Sequence, residues 1–339
     1  MLALIASEGS LATASESQPW PLNEGTPEIT RLIHVNVSDD VVPRSDAAQS
    51  ADEGSAQELD PDAALREVRW TVPEAMPIEQ LAQQWGLRVP NLRALNPGLA
   101  DVAMVPSGTA LLVFRQDPAT TTQSIGSPHR GRLSNGIPLP EGPHWRLRDR
   151  RNRAYGAEGT VRALLEAFEV YGLAHPEGPA VRIGELSYRR GGRAWPHVSH
   201  RTGRDVDIGY VMKPGVLRQR YWRRADETTL DVEKTWTLIK ALGDTNRVQR
   251  IFISSRLQRV IKAHARTVDT EEEVAKYFRT AGAGPKQRYL ITHENGHRDH
   301  LHVRFRCDAA DRRCRGHGLF RIEPTLEVGP PVRAANANP

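Results

Sequence analysis

The sequence predicts an α+β protein made of a small N-terminal module and a larger C-terminal domain. Three observations carry this. Apolar residues recur at helical spacing in some segments and alternate in others, but not in the regular strand–helix–strand order of a doubly wound sheet. The chain has 339 residues, long for one domain. Its composition changes near residue 65 and again across a Thr/Ser/Pro stretch at 116–127. The expected division is an acidic, largely disordered region at 1–65, a folded module at 66–115, a linker at 116–127, the main domain at 128–325 and a disordered tail at 326–339.

Residues 1–65 carry twelve acidic and two basic side chains, a net charge near −10. With +5 for the whole chain, the remainder holds about +15. Low hydrophobicity with high charge argues for disorder in the first region. The exception is Arg31 to Pro43, where alternation predicts one strand. A basic body suits a polyanionic partner such as nucleic acid, anionic lipid or a bacterial wall. No nucleic-acid module accompanies the charge, so nucleic acid is not the expected partner. No apolar run reaches eighteen residues, so no membrane-spanning helix is expected. The first residues, MLALIASEGSLATAS, lack the basic start and the apolar length of a clear secretory signal.

The module begins with a short strand, VRWTV. PIEQLAQQWGL places Ile78, Leu81, Ala82 and Trp85 at helical spacing, with Gly86 as a stop. VPNLRALNP is a second short helix, ended at Asn96–Pro97, and TALLVFR is a closing strand after the Pro106–Ser107–Gly108 turn. In the main domain, Val161, Leu164, Leu165, Phe168 and Tyr171 lie on one face of a core helix. AVRIGELSY reads as a strand. DVEKTWTLIKAL is an amphipathic helix capped by Asp231. RIFIS is a buried strand, SRLQRVIKAHA a helix, and RYLIT and HLHVRFRC are strands of an antiparallel sheet. The two cysteines, Cys307 and Cys314, are close in sequence and leave no thiol over. One disulfide and an oxidising compartment are expected.

Five of the twelve histidines fall in two short segments, HVSHRTGRDVDIGY (197–210) and HRDHLHVRF (297–305), with Asp205, Asp207 and Asp299. On a strand, His300 and His302 share one face, as do Asp205 and Asp207, while Val206, Ile208, Leu301 and Val303 point behind. Imidazoles and carboxylates in such numbers suit a catalytic zinc site of three protein ligands and an open position. His200, Asp207 and one of His300 or His302 would supply the ligands. The remaining imidazoles would polarise a carbonyl or move protons. Asp205 and Asp299 would orient ligands from behind. No helical HExxH arrangement of the common zincin kind is expected.

Two resemblances add to this reading. The order of elements in 66–115 resembles a LysM domain, carried by Val72, Ile78, Leu81, Ala82, Leu92, Asn96–Pro97, Gly108 and Leu111. The usual Gly-Asp-Thr after the first strand is replaced by Glu74-Ala75-Met76-Pro77. That likeness implies binding of N-acetylglucosamine-containing glycan. HVSHRTGRDVDIGY and HRDHLHVRFRC, with GRLSNGIPLP, RAYGAEGTV, IGELSYRRGG and TWTLIKAL, resemble the penicillin-insensitive murein endopeptidases, over roughly Gly131 to Arg315. These belong with lysostaphin, D-Ala-D-Ala peptidases and hedgehog-like proteins. The resemblance implies that fold, with a central antiparallel sheet and flanking helices. It implies His200, Asp207 and His302 as zinc ligands and His300 as the catalytic histidine. His197 and His297 would be accessory residues near the metal and substrate. The implied reaction is hydrolysis of D-alanyl–meso-diaminopimelyl cross-links in peptidoglycan, in the periplasm or outside the cell. Alternatives on the same site are D,D-carboxypeptidase or L,D-endopeptidase activity, or wall binding without catalysis.

Overall fold

The computed structural model describes residues 65–316, except 149, 217–221, 283, 285 and 286. The expected strand at Arg31–Pro43, the acidic region before residue 65 and the tail at 326–339 lie outside the described residues.

The first module is a β–α–α–β unit, as its sequence order requires. Strand β1 (Glu67–Thr71) leads through the short β2 (Met76–Pro77) into helix α1 (Ile78–Gln84) and helix α2 (Val89–Leu95). The chain returns through β3 (Met104–Val105) to β4 (Ala110–Arg115). β1 and β4 pair antiparallel, and β2 pairs with β3. Val68, Trp70, Ile78, Leu81, Trp85, Leu92 and Leu111 form its interior. Asn96 ties the second helix to the closing strand. Its side-chain amide donates to the Leu112 carbonyl, and its side-chain oxygen accepts from the Leu112 N–H, both at 2.9 Å.

The stretch expected as a linker is only partly one. From Gln123 it is strand β5 (Gln123–Ser127), paired antiparallel with β6 (Arg130–Ser134). Two hydrogen bonds hold Gly126 against the far end of the chain. Its N–H donates to the Arg313 carbonyl, and its carbonyl accepts from Arg315 N–H. Residues 307 and 314 form the expected disulfide, so this end is a closed loop pinned to β5. A Thr/Ser-rich composition identifies a stretch as polar, and polar residues serve equally well on an exposed hairpin.

The remaining strands are β7 (Ile137–Pro138), β8 (Trp145–Leu147), β9 (Tyr155–Gly156), β10 (Val181–Ile183), β11 (Asp205–Gly209), β12 (Val248–Phe252), β13 (Ile291–Thr292) and β14 (His300–Phe305). The helices are α3 (Glu158–Ala174), α4 (Val232–Asp244), α5 (Ser255–Val268) and α6 (Glu271–Tyr277). Six strands form the main sheet in the order β13-β12-β14-β11-β10-β8. Its centre is antiparallel, as expected, but both edges are parallel: β8 with β10, and β12 with β13. The reason is the connection. A helical crossover returns the chain to the same end of the sheet, which makes the next strand parallel. Helix α3 lies between β8 and β10, and α5 with α6 between β12 and β13.

Val206, Ile208, Leu301 and Val303 are fully buried on one face, in one apolar cluster with Leu164, Phe168, Leu238 and Leu242 of the helices. The alternation of these strands therefore gives the sheet one apolar face, and the opposite face carries the polar set. Asp231 caps α4 as expected, accepting from the Lys234 N–H at 3.1 Å. AVRIGELSY is strand only as far as Ile183. RYLIT contributes only Ile291–Thr292.

Candidate metal centre

Strands β11 and β14 pair directly, with Asp207 opposite His302, Asp205 opposite Arg304 and Gly209 opposite His300. The side-chain alternation read from the sequence thus places Asp205, Asp207, His300, His302 and Arg304 on one face. Asp207 is its centre. Its oxygens lie 3.2 Å from His200 Nε2, 3.0 Å from His302 Nδ1, 3.4 Å from His197 Nδ1 and 3.6 Å from His300 Nε2.

The far nitrogen of each ring is engaged by an acceptor. His200 Nδ1 is 2.7 Å from the Leu186 carbonyl. His302 Nε2 is 2.8 Å from Asp205 Oδ1. His197 Nε2 is 2.8 Å from Glu185 Oε2, and His300 Nδ1 is 2.7 Å from Asp299 Oδ1. A carbonyl or carboxylate only accepts, so each far nitrogen carries the proton. In the neutral rings the near nitrogens therefore turn lone pairs toward Asp207. Four lone pairs facing an ionised carboxylate repel one another unless a cation joins them. His200 Nε2 and both Asp207 oxygens are buried without a hydrogen-bond partner. His197, His200 and Asp207 have ligand atoms within 4.8 Å of one another. By this test the residues fit a divalent metal of the borderline class, of which zinc is one.

The electrostatics agree with that arrangement. Burial would raise the Asp207 carboxyl, but the surrounding imidazoles hold it well below its usual range. Burial likewise opposes ionisation of Asp205, and Arg304 and His302 overcome it. Arg304 Nε donates to Asp205 Oδ1 at 2.7 Å. Burial pushes His302 down, yet Asp205 and Asp207 hold it up at about 9. Burial and the neighbouring His300 and His302 lower His297.

The two segments chosen from sequence are thus brought together, with one change of rank. His197, expected as an accessory residue near the metal and substrate, points its Nδ1 at Asp207 itself. His297 stays outside this ring of contacts. Its Nδ1 lies 2.9 Å from the Asn295 carbonyl, and its ring centre lies 5.0 Å from that of His300. Asp205 lies behind His302 and Asp299 behind His300.

Sequence reasoning missed Glu185. Its carboxylate holds His197 and accepts from Arg153 Nη1 at 2.6 Å. Burial would raise this carboxyl, but the bonds from His197 and Arg153 keep it at about 2. The available signal was a charged residue inside the apolar stretch AVRIGELSY. Trp222 was also missed; its ring centre lies 4.7 Å from that of His300.

Fold and site together define a class: an α+β domain with a histidine–aspartate centre of metal-binding composition on the polar face of its sheet. The chain belongs to the penicillin-insensitive murein endopeptidase family, whose sequence model matches residues 124–321. Among its relatives is the penicillin-insensitive murein endopeptidase of Yersinia enterocolitica, 26% identical over 230 residues. That match covers 64% of this chain and 78% of the relative. The protein of the same name from Klebsiella pneumoniae is 27% identical over 238 residues, covering 65% of this chain and 81% of its own length. The matched region starts at β5, so the β–α–α–β module lies outside it.

Proposed function

We propose that the chain is a zinc-dependent D,D-endopeptidase that hydrolyses D-alanyl–meso-diaminopimelyl cross-links in peptidoglycan. The observation that carries this is the convergence of His200 Nε2, His302 Nδ1 and His197 Nδ1 on buried Asp207, in a chain of this family. His200, Asp207 and His302 would hold the zinc. Bound there, the metal would supply Lewis acidity toward water and the scissile carbonyl.

The chain's own groups do the rest. Asp205 fixes the His302 tautomer, and the Leu186 carbonyl fixes that of His200. His300 is the candidate general acid–base, because Asp299 holds its Nδ1 proton and leaves Nε2 directed into the site. His197 adjoins the metal position, and His297 lines the approach beside His300. The order of elements in the N-terminal module supports binding of peptidoglycan glycan strands. Substrate class and the Cys307–Cys314 disulfide support a periplasmic or secreted location.

The test is the product spectrum. Zinc-loaded protein should convert cross-linked muropeptide dimers to monomers, and EDTA should abolish the conversion. Product masses showing loss of a terminal D-alanine would reassign the activity to a carboxypeptidase. Cleavage at an L,D bond would make it an L,D-endopeptidase. Intact dimers in the presence of bound zinc would leave wall binding alone.

A further inference from the structure

His197 and His200, which are not on paired strands, depend on one short segment, Gly184–Ser187, and the same segment braces Asp207. The Glu185 carbonyl accepts from the Asp207 N–H at 3.0 Å, and Gly184 N–H donates to the Asp207 carbonyl at 2.8 Å. The Glu185 side chain holds His197, and the Leu186 carbonyl holds His200. Three groups of the site therefore take their position from four residues.

That segment is itself held by the turn at Arg151–Tyr155. Leu186 N–H donates to the Arg153 carbonyl at 2.8 Å, and Tyr155 N–H donates to the Ser187 carbonyl at 3.1 Å. Arg153 forks between Glu185 and the Tyr188 hydroxyl, the latter 3.0 Å from its Nε. The turn in its turn rests on the N-terminal module. Arg151 lies over the Trp70 ring at 4.7 Å. The Tyr155 hydroxyl donates to the Trp85 carbonyl at 2.7 Å. A side chain at Gly86 would meet Asn152 Cβ at 3.3 Å, so the two surfaces touch closely. Trp70, Trp85 and Tyr155 are all buried, and Trp70 and Trp85 pack edge to face.

We infer that the N-terminal module is a buttress of the metal centre: Trp70, Trp85 and the turn Arg151–Tyr155 hold Gly184–Ser187 in place, with Arg153 the positioning residue for His197. The module does not merely tether the domain to a wall. Its loss of contact is felt at the imidazoles. The kinetic part of this inference rests on the proposed hydrolysis; the structural part does not.

The experiment uses the full chain with ¹⁵N-labelled histidine, following the imidazole resonances by NMR, alongside zinc titration and muropeptide kinetics. Arg153→Met should shift the His197 imidazole resonances, weaken zinc about tenfold and lower kcat by a similar factor with KM unchanged. Arg153→Lys, which can reach Glu185 but not fork to Tyr188, should restore part of each. Tyr155→Phe keeps the buried ring and removes only the bond to Trp85. It should move the same His197 resonances and lower kcat about threefold. Trp70→Ala should act in the same direction. Glu67→Gln breaks an exposed ion pair within the module and should change none of these. Wild-type His197 resonances and zinc affinity in Tyr155→Phe and Trp70→Ala would overturn the inference. So would an equal response to Glu67→Gln, which would mark general destabilisation. If the wild type cleaves no muropeptide, the proposed function fails while the NMR and zinc measurements still decide the buttress.

Discussion

The two halves of the metal centre are built by different means. Asp205, Asp207, His300 and His302 stand on β11 and β14, where a backbone ladder sets their spacing before any side chain is considered. His197 and His200 stand on irregular chain, with His200 at φ +64°. A non-glycine residue in that region costs free energy and persists only where its surroundings hold it. Here the Leu186 carbonyl and the Glu185 carboxylate hold the two rings. The strand half is rigid by construction, and the loop half is rigid by capture. Loss of a ligand on the strand half should remove the metal, whereas loss of the groups that hold the loop half should loosen it.

The largest effect is expected at His302. His302→Ala removes a ligand from the strand half, so zinc should be absent by elemental analysis and turnover lower by about 10³-fold or more. His300→Ala should instead keep zinc and lose turnover, because its role is proton transfer, which contributes about 10²–10⁴-fold. Retained turnover in either variant would reassign the strand half.

Asp205→Asn comes next. It leaves Arg304 buried against a neutral partner, and breaking such a pair costs about 3–5 kcal/mol. Zinc affinity should fall about 10–100-fold with the lost tautomer control of His302. Denaturant melts and zinc titrations check both.

Glu185→Gln tests the loop half. The wild-type carboxyl is held at about 2 against an unfolded value near 4.5. A depressed carboxyl contributes stability that is full above the unfolded value and is lost as pH falls through the folded one. The variant should therefore be less stable than wild type by roughly 3 kcal/mol at pH 6, and this gap should close between about pH 4.5 and pH 2. A gap independent of pH would mean that Glu185 acts by packing alone.

The smallest effect is expected at the disulfide, beyond the end of β14. Replacing Cys307 and Cys314 with Ser opens a short loop, so stability should fall by about 2 kcal/mol. Zinc content and turnover should be unchanged at room temperature.

The strand half was legible in the sequence to the residue. HLHVRF and DVDIG alternate polar and apolar residues, and alternation has one meaning on a half-buried strand. The loop half was legible only as a set of candidates. HVSHRTGRD has no periodicity, so His197 could be placed near the metal but not ranked against His297. Glu185 was hidden because a strand was read through it, when the strand ends at Ile183 and the carboxylate turns toward His197. The parallel edges of the sheet were hidden for a related reason. Helices α3 and α5 were read, but α6 and the edge strand β8 were not, so neither crossover was complete in the sequence.

By itself the sequence determined the α+β class, the main helices, the disulfide pair, the acidic and basic halves of the chain, and the pool of imidazoles and carboxylates. These follow from composition and short-range periodicity, which neighbouring residues settle among themselves. Only the tertiary structure decided that all four rings turn their free nitrogens to Asp207, because each tautomer is set by an acceptor that for His197, His200 and His302 lies many residues away. It also decided that Trp70 and Trp85, in the interior of the N-terminal module, bear on the turn that carries Arg153. Contacts between surfaces leave no period in either sequence, so nothing short of the folded chain could bring them together.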